Sequence, residues 1–564
     1  MIALLLASQT IAKPNIIVII TDDQGYGDFG ITGNSVLDTP NLDRFAMQST
    51  RFDRFYVSPV CTPTRASLMT GRYHQRTGAV DTWKGRSMMR AGELTLAEAL
   101  RDLGYATGIF GKWHLGDCYP FRAMDQGFEY SIVHRGGGLG QPSEPIENNR
   151  RYTDPILFRN GEQVQTKGYC TDVYFDEAIG YMEKQAKADR PFFAYIAANA
   201  PHGPYHDVPD KLYRKYKKKD LTPILLGNDK DADRVARVFA MVENIDQNIG
   251  RLMSSLKRFG LDDNTLVLFM LDNGPNTERY VGAMRGMKSQ VHEGGVRSPL
   301  FIRWPGRIEP RQRVRQTAAH IDLMPTLLDA AGSGAPEGVE FDGRSLMPLI
   351  EGRGGVDWPE RAIVLQAHRG TSGEKFHHCT VIRGRWKMVR PSGFHHESSK
   401  DDTPFELYDL FADPREENNR ADDEPEVLEQ LKRAYLDWYA DVVPQEHIPQ
   451  RIIVGTEHEP TTVLTRQDWH PTGGGSWGKT GEWLLSSEAA YRGRATLLLH
   501  KPVEKDLPVE LMIGSKRVPG TFKKGRARLS FDNVSFPAGD FDLSATIGQG
   551  GQAFGPWHLE LTRE

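Results

Sequence analysis

Asn15-Ile16-Ile17-Val18-Ile19-Ile20-Thr21-Asp22-Asp23 is the stretch that decides the fold class. Its apolar run does not alternate with polar residues, so both faces of the strand must be buried. That is the habit of parallel sheets with helices on either side. The run then stops at two carboxylates. Three further runs behave alike: Ala106–Phe110 before Gly111-Lys112-Trp113-His114, Phe192–Ala198 before Asn199-Ala200-Pro201-His202, and Leu266–Leu271 before Asp272-Asn273-Gly274. Ligand sites of open α/β sheets lie beyond the carboxyl ends of the strands. Four strands are therefore expected to deliver polar groups to one place.

Helical patterns separate these runs. Thr39-Pro40 reads as an N-cap with proline in the first turn, followed by Leu42, Phe45 and Ala46 on one face. Thr95 and Glu98 fit a capping box ahead of Leu96, Ala99, Leu100 and Leu103. Val235 to Phe259 keeps an apolar stripe through Val238, Met241, Val242, Ile245, Ile249 and Leu252. The class is α/β, a mostly parallel central sheet flanked by helices.

The chain has 564 residues, room for roughly two to four domains. Lys plus Arg total 70 against 74 Asp plus Glu, a net charge of -4, which argues against a nucleic-acid binder held by overall charge. The four cysteines, Cys61, Cys118, Cys170 and Cys379, are too few for a disulfide framework and have no C-x-x-C spacing for zinc. Residues 1–12 (Met-Ile-Ala-Leu-Leu-Leu-Ala-Ser-Gln-Thr-Ile-Ala) read either as the tail of a secretory signal without its basic start or as a buried first segment, and the first reading, which is favoured, implies a periplasmic or secreted location. No other run nears the roughly 18 apolar residues of a membrane span.

Pro59-Val60-Cys61-Thr62-Pro63-Thr64-Arg65-Ala66-Ser67-Leu68-Met69-Thr70-Gly71-Arg72 resembles the signature of the formylglycine-dependent (type I) sulfatases, of the alkaline-phosphatase-like superfamily. Gly104 to His114, Gly286-Met287-Lys288 with Glu293 to Pro299, and the pairs Asp22-Asp23 and Asp272-Asn273 fall in that family's order. The likeness runs from about Pro14 to about Asp423. It implies that a maturation enzyme converts Cys61 to formylglycine, that Ca2+ is bound by Asp22, Asp23, residue 61, Asp272 and Asn273, and that a sulfate monoester is hydrolysed through a sulfated enzyme. It also implies roles for Arg65 (orienting residue 61), Lys112 (clamping sulfate), His114 (base of the second step), and His202 and Lys288 (at the bridging oxygen, with His202 the preferred acid).

The residue types make sense without the family. Sulfate esters are anions that resist attack, so catalysis needs a strong oxygen nucleophile, cations over the sulfuryl oxygens and an acid for the leaving oxygen. Asp and Asn oxygens are hard ligands that suit calcium or magnesium. Asp22 and Asp23 reach one ion only if the strand has ended before them. Lys112 and His114, two apart, share a side if that segment is extended. Taken singly, each residue has a plainer reading: a buried thiol, an N-cap, a turn, a solvated lysine. Their shared order and their places at strand ends favour chemistry.

Trp83, His134 and Arg135, with Gly136 to Gly138, lie in loops expected to line the mouth of the site, where Trp83 either stacks on a sugar or is a core residue. The basic run Lys211 to Lys219 reads first as a solvated helix end.

The expected organisation is a signal remnant (1–12), a catalytic core (13–352), an antiparallel C-terminal subdomain (353–441), a linker (442–463) and a β-sandwich-like domain (464–564). In the last, Trp477, Trp483 and Trp557 are candidate carbohydrate platforms, against the alternative of a structural cap. The reading is a Ca2+-dependent sulfatase acting on a sulfated small molecule or polysaccharide. The rivals are a phosphonate or phosphate ester hydrolase of the same superfamily and a non-catalytic polysaccharide-binding protein.

Overall fold

A computed structural model describes residues 13–352, 357–371, 373–399 and 402–564. The expected signal segment, 1–12, lies outside the described residues, as do 353–356, where the core was expected to give way to the subdomain. Among the described residues no helix is long and apolar enough to cross a membrane.

The main sheet contains β1 (Asn15–Thr21), β2 (Thr50–Tyr56), β3 (Ala106–Lys112), β4 (Tyr130–His134), β5 (Ile156–Arg159), β6 (Glu162–Gln165), β7 (Phe192–Ala198), β8 (Thr265–Leu271), β9 (Arg297–Arg303), β10 (Arg313–Val314) and β11 (Ala318–Ala319). Its order is β10-β2-β9-β8-β1-β7-β3-β4-β5-β6, with β11 beside β2. The four strands read from the sequence as ending in chemistry, β8-β1-β7-β3, are consecutive and mutually parallel. Register aligns their ends: Thr21 faces Leu271 on one side and Ala198 on the other, and Gly111 faces Ala197. Asp22, Asp272, Asn199 and Lys112 therefore emerge along one edge.

Alternate residues of β1 feed two cores. Ile16, Val18 and Ile20 pack with Leu68, Leu100 and Leu327, while Ile17 and Ile19 pack with Phe45, Met182 and Ile249. The result is a sheet between two helical layers. Strand β9 was not anticipated. It pairs antiparallel with β8 and β2, and its arginine ends obscure an apolar centre of Leu300, Phe301 and Ile302.

The Thr95–Glu98 capping box forms in both directions. Thr39 precedes a helix at Pro40–Met47 but does not cap it with its hydroxyl. Asp246, from the long helix Ala232–Arg258, accepts the Asn41 and Leu42 amides instead.

Four antiparallel strands, Ile363–Gln366, Cys379–Arg383, Trp386–Arg390 and Glu406–Asp409, form a second sheet. The helix Pro425–Val442 lays Leu431 and Tyr435 into its core. The rest of the chain is two antiparallel-rich sheets face to face, with Trp483, Leu485, Leu497, Leu543 and Leu559 between them. The stretch expected as a linker holds Ile452–Ile453 and the first residues of Thr461–Thr465, strands of these two sheets. Both were missed because each is short and bordered by charge.

Candidate active site

Cys61 opens the helix Cys61–Thr70, in which every residue is buried. A helix N-terminus favours an anion at its first residue. One turn on, Arg65 lies beneath the site. Its Nη1 donates to the Lys112 carbonyl at 2.8 Å and its Nη2 pairs with Asp272 Oδ2 at 2.9 Å. Thr64 Oγ1 donates to the Asp272 carbonyl at 2.7 Å. The signature helix thus grips the ends of β3 and β8.

Strand β1 stops at Thr21, and Asp23 then takes a left-handed backbone, φ 63°. This break lets two adjacent carboxylates turn toward one point. Lys112 Nζ donates to Asp22 Oδ2 at 2.6 Å. Lys288 Nζ and Asn273 Nδ2 donate to Asp23 Oδ1 at 2.5 and 2.9 Å. Asp22 Oδ1, Asp23 Oδ2 and Asn273 Oδ1 are left buried with no hydrogen-bond partner among the described residues. Three orphaned hard oxygens in one place fit a calcium-type cation. Ligand atoms of Asp22, Cys61 and Asp272 lie within 4.8 Å of one another, as do those of Asp22, Asp23 and His202.

The charges agree with that fit. Burial, and then the negative charge of Asp22, push the Asp272 carboxyl up to about 7. Burial also pushes on Asp23, but Lys288 and His202 outweigh it and hold that carboxyl at about 2. One carboxyl of the cluster thus resists ionising until more positive charge arrives.

His114, with φ 61°, sits past the end of β3, so Lys112 and His114 are not the regular extended pair expected from their spacing. Both still reach the site. His114 Nε2 donates to the Thr82 carbonyl at 2.8 Å. Burial and then Lys112 hold its ring neutral, so Nδ1 offers a lone pair to Cys61 Sγ, 3.4 Å away. Burial pushes the Cys61 thiol up, so residue 61 is poorly placed to work as a thiolate. His202 Nδ1 donates to the Gly203 carbonyl at 2.7 Å, leaving Nε2 at 3.8 Å from Asp23 Oδ2. Burial pulls that ring down to about 4, with Asp23 opposing. Burial works against the Lys288 charge, but Asp23, Cys61 and Asp22 together outweigh it and keep the ammonium charged.

The glycines singled out in the sequence explain how a loop passes over both imidazoles. A Cβ on Gly137 would lie 2.6 Å from His114 Cε1, and one on Gly138 would lie 2.8 Å from His202 Nδ1.

Cys61, Trp83, His114, His202, Lys288 and Trp477 line one cavity of about 200 Å³. His134 and Arg135, expected at its mouth, do not line it. They border a separate small cavity. His134 Nδ1 meets the Tyr174 hydroxyl at 2.9 Å, and Arg135 stacks on Phe158 and donates to the Val463 carbonyl. Trp83 keeps its place at the mouth, with Lys84 and Arg369 cations over its ring. Of the three tryptophans proposed as platforms, Trp483 is fully buried and donates to the Thr465 carbonyl. Trp557 borders a cleft within the β unit. Trp477 instead joins the cavity above Cys61, as do Arg369 and Phe394. Only its glycine-rich setting, Gly473-Gly474-Gly475-Ser476-Trp477-Gly478, hinted that Trp477 was carried on a projecting turn. The basic run begins in the helix Asp210–Tyr216, and Lys215 and Lys219 are paired with Asp38. All four cysteines are free.

Comparisons with known proteins place the chain among sulfatases. A family model described as Sulfatase matches residues 14–333, and one described as N-sulphoglucosamine sulphohydrolase, C-terminal, matches residues 287–438. The N-acetylgalactosamine-6-sulfatase of Canis lupus familiaris is 32% identical over 375 residues, covering 61% of this chain and 67% of its own. Arylsulfatase A of Homo sapiens is 33% identical over 480 residues, covering 77% of this chain and 89% of its own. The crystal structure of Ps i-CgsB superposes with a TM-score of 0.66 at 27% identity, over 76% of this chain and 93% of its own. That protein has also been solved in complex with k-i-k-neocarrahexaose.

Proposed function

The chain belongs to the sulfatase family, and from that premise we propose that it hydrolyses the sulfate monoester of a sulfated carbohydrate, using a formylglycine made from Cys61 and a bound Ca2+. The observation that carries this reading is the convergence of Cys61, His114, Lys112, Lys288 and His202 on one buried edge beside three orphaned carboxylate and amide oxygens. The carbohydrate substrate draws support from the relatives, one named for N-acetylgalactosamine 6-sulfate chemistry and one solved with a neocarrahexaose.

A hydrated aldehyde at position 61 would supply an oxygen nucleophile, and a way to expel sulfate afterwards from the sulfated enzyme. Ca2+ held by Asp22, Asp23, residue 61, Asp272 and Asn273 would acidify that hydroxyl and neutralise a sulfate oxygen. The chain's own residues do the rest. Arg65 fixes Asp272 and the Lys112 carbonyl from below. Lys112 and Lys288 bring positive charge to the sulfuryl oxygens. His114 Nδ1, with its tautomer set by the Thr82 carbonyl, accepts a proton from the hydroxyl at position 61. His202 Nε2 gives a proton to the leaving oxygen, and the arriving sulfate raises its affinity for that proton. Lys288 donates a hydrogen bond to the same oxygen. The formylglycine-generating enzyme is the implied partner, in a periplasmic or secreted setting.

Mass spectrometry of the tryptic peptide Phe55–Arg65, after expression with a competent maturation enzyme, tests the first step. An aldehyde or its hydrate is expected, and an unmodified thiol overturns the reading. Rates on 4-nitrophenyl sulfate and an aryl phosphonate monoester, both singly charged, are expected to favour sulfate. A strong phosphonate preference would sink that choice.

A further inference from the structure

The β unit lies beyond residue 438, where the family models end, yet one of its side chains lines the catalytic cavity and a second grips the loop beside it. Trp477 is one wall of the cavity, edge-to-face against Trp83 with ring centroids 5.0 Å apart. The turn that carries it is tethered. Trp469 Nε1 donates to the Trp477 carbonyl at 2.8 Å, Trp469 itself is fully buried, and Arg466 stacks on it. Gln467 is the second contact. Its Nε2 donates to the Thr82 carbonyl at 2.9 Å and to Ser87 Oγ at 3.0 Å, and its own carbonyl accepts the Gly85 amide. The Thr82 carbonyl is the atom that also accepts His114 Nε2.

Beside these contacts the seam has a tight apolar patch. Met88, Cys118 and Phe121 from the α/β body belong to the same buried cluster as Trp469, Leu464 and Trp483. A Cβ on Gly85 would lie 2.5 Å from His470 Nε2. The β unit is therefore seated against the loop 82–88 rather than hung from a tether.

We propose that the β unit completes the active site: Trp477 is a substrate-contacting wall for the ring that bears the sulfate, and Gln467 is a positioning residue that fixes the Thr82 carbonyl and through it His114. The inference rests on the sulfatase reading. Its chemistry is specific. An indole in the wall of the catalytic cavity suits the apolar face of a sugar or aryl ring. The buried Trp83 Nε1, which has no hydrogen-bond partner among the described residues, leaves a donor for a ring hydroxyl. The cavity of about 200 Å³ is smaller than the roughly 300–1,000 Å³ of drug-sized sites, and it adjoins a second cavity that shares Lys288, Ser289, Arg369 and Phe394.

The test uses the full, matured chain and 4-nitrophenyl sulfate. Trp477→Ala is expected to raise KM about tenfold with kcat within about twofold. Gln467→Leu is expected to lower kcat about tenfold with KM little changed, a split that loosened docking alone would not produce. Leu543→Ala, in the sandwich core and outside the hydrogen bonds named here, controls for stability. It is expected to lower Tm while leaving kcat and KM unchanged below the transition. Wild-type kcat and KM in both seam variants would overturn the inference and leave the sulfatase reading standing. So would matching losses in Leu543→Ala. An inactive matured wild type would overturn the sulfatase reading itself, and this inference with it.

Discussion

The α/β body and the β unit use strands in opposite ways. Strands β1, β3, β7 and β8 are buried at every residue. Nothing along them meets water, so their chemistry is confined to their ends. The strand Gly481–Ser487 alternates buried and half-buried residues, one face to the core and one outward. The body also buries charge on purpose: Lys112, Asp22, Arg65 and Asp272 are all essentially inaccessible. In the β unit, ion pairs such as Arg494–Asp532 stay exposed. Buried charge costs stability unless it is paired, and it is kept where the field it creates is used. The difference teaches where substitutions should matter most.

The largest effect is expected at Cys61. Loss of a nucleophile costs on the order of 10⁴-fold or more in kcat, and Cys61→Ala should show it on 4-nitrophenyl sulfate with the thermal transition little moved. Retained activity would dissolve the contrast between the two regions. Next comes Arg65→Ala. It leaves Asp272 without its partner in a fully buried site, and breaking such a pair costs about 3–5 kcal/mol. Denaturant unfolding should report that loss, together with loss of turnover. A change comparable to that of an exposed pair would mean that the strand-end charges are not coupled. Third is the cation. Chelation should abolish turnover and lower Tm, and added Ca2+ should restore both. At a hundredfold excess over Kd the recovered stability is about 2.7 kcal/mol. No thermal response to Ca2+ would leave the three orphaned oxygens without an explanation.

Much of this was legible before folding. The four chemistry-bearing strands declare themselves because parallel strands buried on both faces are continuous apolar runs. The signature around Cys61 and the carboxylate pairs stand at their ends in sequence as in space. What could not be read was long-range. The left-handed turn at Asp23 is a backbone fact without a distinctive residue. Strand β9 is masked by its arginines. The separation of Trp83, which reaches the cavity, from His134 and Arg135, which do not, depends on how the loop 135–141 crosses the imidazoles. Trp477 is more than 400 residues from Cys61 along the chain, and no local pattern tells a wall from a core tryptophan.

The smallest expected effect lies at the seam where the two regions meet. Asp117, Glu144, Glu459 and Asp468 lie around Arg135, and burial raises all four carboxyls. Glu144 is pushed up to about 8 by burial, and neighbouring Asp117 adds to this. Between its ordinary value of 4.5 and about 8, the folded protein therefore holds a proton that the unfolded chain releases. Stability must then fall as pH rises through that window, by up to about 1.4 kcal/mol per pH unit for each such proton. Glu144→Gln removes the ionisation and keeps the shape, with a carbonyl oxygen still able to accept the Arg135 amide. Its unfolding free energy, followed from pH 5 to pH 8, should decline less steeply than that of the parent by about one proton. An identical slope would mean that water reaches the seam, and that the β unit is held more loosely than its contacts with the loop 82–88 require.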